Sequence, residues 1–349
     1  MRASASLSQI LILTGLAAAG AGAAMAQGAE SFFKGKTVTI NIGSSSGGGL
    51  DTYGRLVARY FGKHIPGNPA VVPSNVPGAG GNIVAQRLYN LVPKDGTQIG
   101  ITFPGALIDP LLNESGRKDY DPTKFNYIGS AHAEVLVCFV RNDAPVKTPQ
   151  DLLAQEVLVG ATAPGSTTWD FPTVENNVLG TKLHIITGYK GSREVTLAVE
   201  KGEVQGICGV GYGTLKVQYP ELLSSGQFAK IFVQEDNKGH PDLNAAGVPL
   251  MTTLAKTEDD RQALNMLYAQ SGFSRPFILP PGVPEDRVAA LRKAFEETMK
   301  DPEFLAECEK RKLAIEPTPH RELHAMIEKI VSASPELVTR VKKAIGQTE

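Results

Sequence analysis

Short runs rich in β-branched residues alternate along the chain with segments whose apolar residues recur at helical spacing. Residues 37–42 (TVTINI) form the first predicted strand, and apolar side chains between Tyr53 and Phe61 then recur every three to four residues. Further strands are predicted near residues 71–72, 99–101, 157–161, 183–187, 204–208 and 230–233. This alternation predicts an α/β protein with largely parallel sheets.

Two apolar stretches predict that the chain crosses between two lobes. Residues 127–140 form a strand-like run long enough to join two domains, and residues 273–279 form a second run before a Pro-Pro-Gly turn. A chain that leaves one domain, builds another and returns has a cleft between its lobes, where ligands usually bind. We therefore assign residues 27–132 and 270–349 to lobe 1 and residues 133–269 to lobe 2.

The first 26 residues have the pattern of a secretory signal peptide. Arg2 precedes an apolar run over residues 10–24, and Ala24-Met25-Ala26 supplies the small residues that signal peptidase requires. The run is shorter than the roughly 20 apolar residues of a membrane-spanning helix. We expect cleavage between Ala26 and Gln27 and export to the periplasm.

Composition narrows the range of partners. The chain of 349 residues is 42% hydrophobic and 20% charged, with a net charge of −1 and no polybasic run, so nucleic acid and anionic membrane surfaces are poor partners. Its three cysteines do not form a disulfide framework. Cys138 and Cys208 lie in apolar strand-like runs, and we interpret them as buried free thiols, with a bridge between them left open.

Two glycine-rich loops carry the candidate binding chemistry. Residues 43–49 (GSSSGGG) and 76–82 (VPGAGGN) each follow a short strand and lead into a helix, and neither contains Lys or Arg. At a helix N-terminus, unpaired amides and the positive end of the helix dipole attract anions. The loops therefore predict an anion held reversibly by neutral donors.

Motifs of other classes fit less well. The first loop lacks the Gly-Lys-Ser/Thr of a nucleotide-binding phosphate loop. Residues 43–47 do match the nucleophile elbow of serine hydrolases, with Ser45 as nucleophile, but an elbow follows several strands and this one follows the first. His320 and His324 have the spacing of two metal ligands, yet Arg321 stands where metalloproteases have Glu. We predict no metal and no catalytic residue.

Five motifs in order resemble the substrate-binding proteins of tripartite tricarboxylate transporters, the Bug or TctC family, over essentially the whole predicted mature chain. The motifs are Gly47-Gly48-Gly49-Leu50-Asp51, residues 75–81 (NVPGAGG), Pro93-Lys94-Asp95-Gly96-Thr97, Tyr189-Lys190-Gly191 with Gly202-Glu203-Val204, and residues 280–284 (PPGVP). The resemblance implies a two-lobed periplasmic binding protein of the type II, Venus-flytrap form with two hinge-crossing strands. It also implies that the protein is not an enzyme.

The resemblance further implies where a small carboxylate binds. The first-lobe contacts would be Ser45, Ser46, Gly47, Gly48, Asp51, Gly78, Ala79 and Gly80. We expect Asp51 mainly to shape its loop. Phe103, Pro104 and Gly105 replace the family's Gly-Thr-Thr-Gly loop and predict a more apolar wall. Ser166, Thr167, Thr168, Gly191 and Ser192 of lobe 2 would contact the distal end of the ligand.

The implied partner is a two-subunit membrane permease driven by an ion gradient, so we expect no nucleotide on this chain. We also expect a monomer without a cofactor. Two other functions remain open. One is a secreted serine hydrolase that uses Ser45, and the other is a sensor that presents its ligand to a signalling receptor. A linear dicarboxylate, an aromatic carboxylate and an amino acid all fit the first-lobe loops.

Overall fold

The computed structural model describes residues 28–44, 46–47, 49–112, 119–162, 166–189, 191–220 and 229–346. The predicted signal peptide, residues 1–26, lies outside these ranges. So do Ser45 and Gly48 of the first loop, residues 163–165 and Lys190. Within the described ranges, no helix has both the length and the apolar content that a membrane crossing requires.

Strands and helices alternate through most of the described chain. The strands are β1 (Thr37–Ile42), β2 (Ala70–Asn75), β3 (Gln98–Ile101), β4 (Asn126–Ser130), β5 (Leu136–Arg141), β6 (Val157–Gly160), β7 (Leu183–Ile186), β8 (Gly206–Gly211), β9 (Ala229–Glu235), β10 (Pro276–Leu279) and β11 (Thr318–Pro319). The helices are α1 (28–33), α2 (Gly49–Phe61), α3 (Asn82–Asn90), α4 (Asp109–Leu112), α5 (Thr167–Leu179), α6 (Ser192–Lys201), α7 (Tyr212–Gln218), α8 (Pro241–Ala245), α9 (Glu258–Tyr268), α10 (Glu285–Thr298), α11 (Pro302–Lys310), α12 (His320–Val331) and α13 (Pro335–Ala344).

The strands form two separate mixed sheets, which confirms the predicted α/β class. The first sheet has the order β11-β4-β10-β3-β1-β2, and the second has the order β7-β6-β8-β5-β9. β1 pairs in parallel with β2 and β3, and β6 pairs in parallel with β7 and β8. Antiparallel strands complete both sheets, so the sheets are less purely parallel than the sequence predicts.

The strand-like run over residues 127–140 is two strands, one in each sheet. β4 ends at Ser130, β5 begins at Leu136, and residues 131–135 cross between the sheets. β4 and β3 both pair antiparallel with β10, so β4 ends at the same edge as β1 to β3. In the second sheet Leu136 pairs with Gly211, the last residue of β8. The crossing therefore joins the edges at which the parallel strands of both sheets end.

The lobe boundaries stay predictions, because the last helix contacts elements around both sheets. α13 packs against α5 and α9 beside the second sheet, and it also contacts α4 beside the first. The side-chain amide of Asn177 donates to the Ala344 carbonyl over 2.7 Å, which fastens the end of α13 to α5.

Cys138 and Cys208 form a disulfide with an S–S distance of 2.03 Å, so the interpretation of free thiols is wrong. β5 and β8 are antiparallel neighbours, and their register shifts between Val137 and Phe139. This bulge places the two cysteines side by side on adjacent strands, a pairing that the spacing along the chain does not reveal. Among the described residues they form, with Glu235, the one set of potential metal-ligating groups, and the disulfide removes both thiols from it.

Two carboxyl groups meet in the interior of the second lobe. Glu175 and Glu235 are fully buried. Glu175 accepts a hydrogen bond of 2.6 Å from the Tyr268 hydroxyl, and Glu235 accepts one of 2.6 Å from the Gly209 amide. Burial raises the pKa of both groups above the usual 4.5. The pair therefore retains a proton at a pH where an exposed glutamate has lost it.

This buried pair predicts that stability falls as the pH rises above 4.5. The native state then holds a proton that the unfolded chain releases, which costs about 1.4 kcal/mol per pH unit for each such proton. The Glu235→Gln variant, whose amide donates to Glu175 without titrating, should lose less stability over this range. Urea unfolding from pH 5 to 8 measures the difference. The surface variant Glu322→Gln should follow the wild type, and parallel curves for all three proteins would contradict the prediction.

Candidate functional site

Three loops meet at the edge of the first sheet where β1, β2 and β3 end. The Gly43 amide donates to the Ile101 carbonyl over 2.9 Å, and the Val76 amide donates to the Ile42 carbonyl over 2.8 Å. A Cβ on Gly43 would lie 3.1 Å from the Cα of Gly81, so the two glycine-rich loops touch at backbone distance. Their closeness depends on residues without side chains at this contact.

Four consecutive residues of the second loop have positive φ angles, and we call residues 78–81 the amide nest. The angles are 133° at Gly78, 44° at Ala79, 59° at Gly80 and 95° at Gly81. A left-handed conformation is unfavourable for alanine, so the surrounding structure holds Ala79 in place. Successive amides in such a turn form a concave site for an anion. Ala79 and Gly80 are exposed at the first turn leading into α3, where amides have no acceptor within the helix.

Asp51 shapes the first loop from within the protein. Its carboxylate accepts hydrogen bonds from the Gly47 amide (2.9 Å), the Asn75 side chain (2.7 Å) and the Arg55 guanidinium (2.9 Å). Burial alone would raise the pKa of Asp51, but these three hydrogen bonds lower it below the usual 3.8. Asp51 thus has the shaping role that the sequence predicts. The same contact directs the Gly47 amide toward Asp51 and away from solvent.

The third loop forms the apolar side of this edge. Phe103 is 38% exposed, and Pro104 begins a short 3-10 turn that ends at Leu107. Beneath it, the fully buried Thr102 hydroxyl has no hydrogen-bond partner and lies against Gly81. Phe103, Pro104 and Gly105 therefore lie beside the amide nest, and their role as an apolar wall for a ligand stays a prediction.

The predicted residues of lobe 2 lie at the matching edge of the second sheet. The hydroxyls of Thr162, Ser166 and Thr168 form a triangle with sides of 2.6, 3.0 and 3.1 Å. The Thr167 hydroxyl donates to the Gly209 carbonyl over 2.7 Å. These hydroxyls stabilise the start of α5. Because the crossing segment joins the two strand-end edges, this loop faces the side of the molecule that carries the amide nest.

Gly191 and Ser192 begin α6 at the same edge of the second sheet. Gly191 occupies the N-cap position of α6, and Ser192 is its first helical residue. Both residues have partly open surroundings, and nothing lies within 4 Å of a Cβ placed on Gly191. Their role as ligand contacts stays a prediction.

The structure also brings together four polar or aromatic residues that the sequence analysis misses. Glu134 is buried, and its Oε1 accepts hydrogen bonds from the amide (2.9 Å) and the hydroxyl (2.8 Å) of Thr214 at the start of α7. His132 Nε2 lies 3.6 Å from Glu134 Oε2, and the His132 ring stacks on Tyr53 at 6.0 Å between ring centroids. The Arg275 guanidinium lies 5.1 Å from the centre of the Tyr53 ring.

His132, Glu134 and Arg275 lie in the segments that cross between the sheets, and Tyr53 lies on α2. Burial raises the pKa of Glu134, but the adjacent His132, the charge of Arg275 and the Thr214 amide outweigh burial and leave the pKa at about 2. The sequence does carry a signal for these residues, because charged residues stand out within the apolar runs that are predicted to cross between the lobes. His132 and Glu134 lie inside the first predicted run, and Arg275 lies inside the second.

No family model matches the chain. A UPF0065 protein from Cupriavidus necator is 30% identical over 205 residues, which cover 56% of this chain and 60% of that relative. The match thus spans less than two thirds of the relative's length.

Solved structures match over nearly their whole length. A TctC solute-binding protein from Polaromonas superposes with a TM-score of 0.66 at 18% identity, over 88% of this chain and 98% of the other. The chain has the TctC solute-binding fold. MatC from Rhodopseudomonas palustris, solved with bound malate, superposes with a TM-score of 0.60 at 19% identity, over 89% and 99% of the two chains.

The TctC fold confirms the resemblance that the five motifs indicate, together with the predicted two-lobed α/β architecture. The Polaromonas neighbour is a solute-binding protein. Ser45, the nucleophile of the hydrolase alternative, lies outside the described residues. His320 and His324 lie on α12, near Glu296 (3.7 Å) and Glu328 (3.5 Å) respectively. The His324 side chain is 37% exposed, whereas that of His320 is 18% exposed and its Nδ1 is buried.

The amide nest of this TctC fold predicts unequal effects of alanine at two neighbouring glycines. Gly80→Ala places a Cβ in open space and should cost about 1–2 kcal/mol for the left-handed backbone alone. Gly81→Ala adds a clash with the buried Thr102 hydroxyl at φ 95°, so it should cost clearly more. Urea unfolding of both variants measures the two losses. Equal losses would contradict this description of the contact between the loops.

Proposed function

We propose that this protein is a periplasmic solute-binding protein that captures a small carboxylate and delivers it to a two-subunit membrane permease. The observation that carries the proposal is the run of four residues with positive φ at 78–81, at the strand-end edge from which the chain crosses to the second sheet. The left-handed backbone is unfavourable at Ala79, and successive exposed amides in a tight turn can form a concave site for an anion. The proposal includes export, cleavage between Ala26 and Gln27, and a monomeric mature protein.

The amides of the two glycine-rich loops bind one carboxylate in this proposal. Because the Gly47 amide already donates to Asp51, the amides of Ala79 and Gly80 supply the main contacts from the described residues. Ser45, Ser46 and Gly48 of the first loop and Gly78 of the second loop complete the set. A hydrogen bond to an ionised carboxylate contributes about 1.5–3 kcal/mol, so a few such bonds give reversible binding.

The second lobe closes over the distal end of the ligand. Residues 133–269 form this lobe in the proposal, with contacts from the starts of α5 and α6. The hydroxyls of Thr167 and Thr168 already form hydrogen bonds within the protein. They can therefore contact the ligand only if they exchange these partners when the lobes close. Gly191 and Ser192 offer backbone and hydroxyl donors in more open surroundings. Contacts made only in the closed form shift the equilibrium toward closure.

Delivery in this proposal depends on the closed conformation of the protein, and no covalent bond of the ligand is formed or broken. A membrane permease would recognise the closed form, open it and accept the ligand. The malate-bound MatC neighbour supports a carboxylate as the ligand class, and the C. necator relative supports a shared ancestry over part of the chain. The proposal assigns no catalytic residue, metal, nucleotide or cofactor to this chain.

A thermal-shift screen tests the proposed ligand class. The probes are malate, adipate, benzoate and glutamate at neutral pH, each compared with its neutral amide or ester. A bound acid should raise the melting temperature, because a ligand at one hundred times its Kd stabilises the native state by about 2.7 kcal/mol. The neutral derivatives should produce smaller shifts, since they lose the charge-assisted hydrogen bonds.

Two outcomes would contradict the proposal. If none of the four acids changes the melting temperature, the protein is not a carboxylate-binding protein of this class. If the protein instead hydrolyses the esters and the Ser45→Ala variant does not, the hydrolase alternative is correct. Under the proposal, Ser45→Ala changes acid binding only modestly, because main-chain amides provide most of the contacts.

A further inference from the structure

One cation lies at the base of the proposed cleft, and this inference rests on the proposed function. Arg275 precedes β10, in the second segment that crosses between the sheets. Its backbone is fixed, since its amide donates to the Ser130 hydroxyl (3.1 Å) and its carbonyl accepts from the Ala131 amide (3.0 Å). Its Nη2 lies 3.7 Å from the position of a Cβ on Gly49, where α2 begins. The guanidinium therefore stands beside the end of the first glycine-rich loop.

The donors of Arg275 are largely unused by the protein. Nη1 donates to the Ser274 carbonyl over 2.7 Å, and the buried Nε has no hydrogen-bond partner. Among the described residues, no carboxylate lies within ion-pair distance of this guanidinium. Other arginines of the chain, by contrast, pair directly with carboxylates. A partly buried arginine with donors to spare is poised to meet an anion.

The nearby acids are already satisfied by other groups. Both oxygens of Asp51 accept hydrogen bonds from Arg55, which lies one turn further along α2. Glu134 uses Oε1 for Thr214 and directs Oε2 toward His132. Neither carboxylate competes for Arg275 at hydrogen-bond distance. The hydrogen-bond donors of this guanidinium are therefore not consumed by the acids around it.

We propose that the Arg275 guanidinium contacts the carboxylate held by the glycine-rich loops and determines the specificity of the site for ionised acids. Backbone amides carry only partial charges, so they favour a carboxylate over its neutral amide or ester less strongly than a full positive charge does. A guanidinium adds a charge that only the ionised acid matches. Stacking on Tyr53 holds the guanidinium plane in one orientation, so little side-chain freedom is lost on binding.

Calorimetric titration of two Arg275 variants tests the proposal. The probe is whichever of malate, adipate, benzoate and glutamate binds the wild type most tightly, together with its amide. Arg275→Gln should raise the Kd of the acid about 10- to 100-fold and leave that of the amide nearly unchanged. Arg275→Lys retains the charge without the planar fork and should lie between the wild type and Arg275→Gln.

Arg287 provides a matched control far from the cleft base. Its guanidinium also stacks on an aromatic ring, 3.5 Å from the centre of Phe32, donates to a carbonyl at Asp95, and has a buried Nε without a partner. Arg287→Gln therefore removes the same kind of interactions but should leave acid binding unchanged. If Arg287→Gln binds the acid as tightly as the wild type and Arg275→Gln binds it more weakly, the weaker binding comes from a lost ligand contact and not from lost packing.

The outcomes distinguish this inference from the proposed function. If the wild type binds an acid and Arg275→Gln binds it equally well, the inference is wrong and the proposed function stands. If acid and amide lose affinity equally in Arg275→Gln, the residue has only a structural role and the inference is again wrong. If the wild type binds none of the four acids, the proposed function fails and this inference fails with it.

Discussion

The direction of the strands is the constraint on which the rest of this structure depends. β4 runs parallel to β1 and β3, and β5 begins beside the end of β8, so the first crossing segment joins two edges at which parallel strands end. Loops at such edges place backbone amides and helix N-termini toward a common space. A crossing attached at the opposite edge of either sheet would separate the glycine-rich loops from the second lobe.

Under the proposed function, the first lobe builds its binding surface from backbone more than from side chains. Gly43 and Gly81 allow the two loops to touch, and the amide nest keeps its shape because Thr102 and Phe103 pack closely behind Gly81. Asp51 contributes by fixing the first loop and not by facing solvent. A rigid array of neutral donors binds a carboxylate reversibly, since no single contact is strong enough to hold it for long.

The local features of the fold could be predicted from the sequence, and the nonlocal ones could not. β1, α2 and both loops follow from β-branched runs, helical periodicity and clustered glycines, all of which depend on neighbouring residues. The division of residues 127–140 into β4 and β5 depends on pairing with β10 and β8, which lie far along the chain. The disulfide depends on a bulge between β5 and β8, and Arg275 reaches Tyr53 only after the chain returns from the second lobe.

The position of Arg275 at the crossing determines whether its contact with a ligand contributes to binding or to closure of the lobes. Glu134 ties the crossing segment to α7 through Thr214, and its backbone amide donates to the Ser271 carbonyl over 2.9 Å. Groups near such a pivot move little when two lobes rotate, whereas groups at the outer ends of the cleft move most. A contact from Arg275 is therefore available in open and closed forms alike and cannot drive closure, since only differential contacts shift that equilibrium. Under these proposals, the base of the cleft selects the charge of the ligand, and the starts of α5 and α6 contact its distal end.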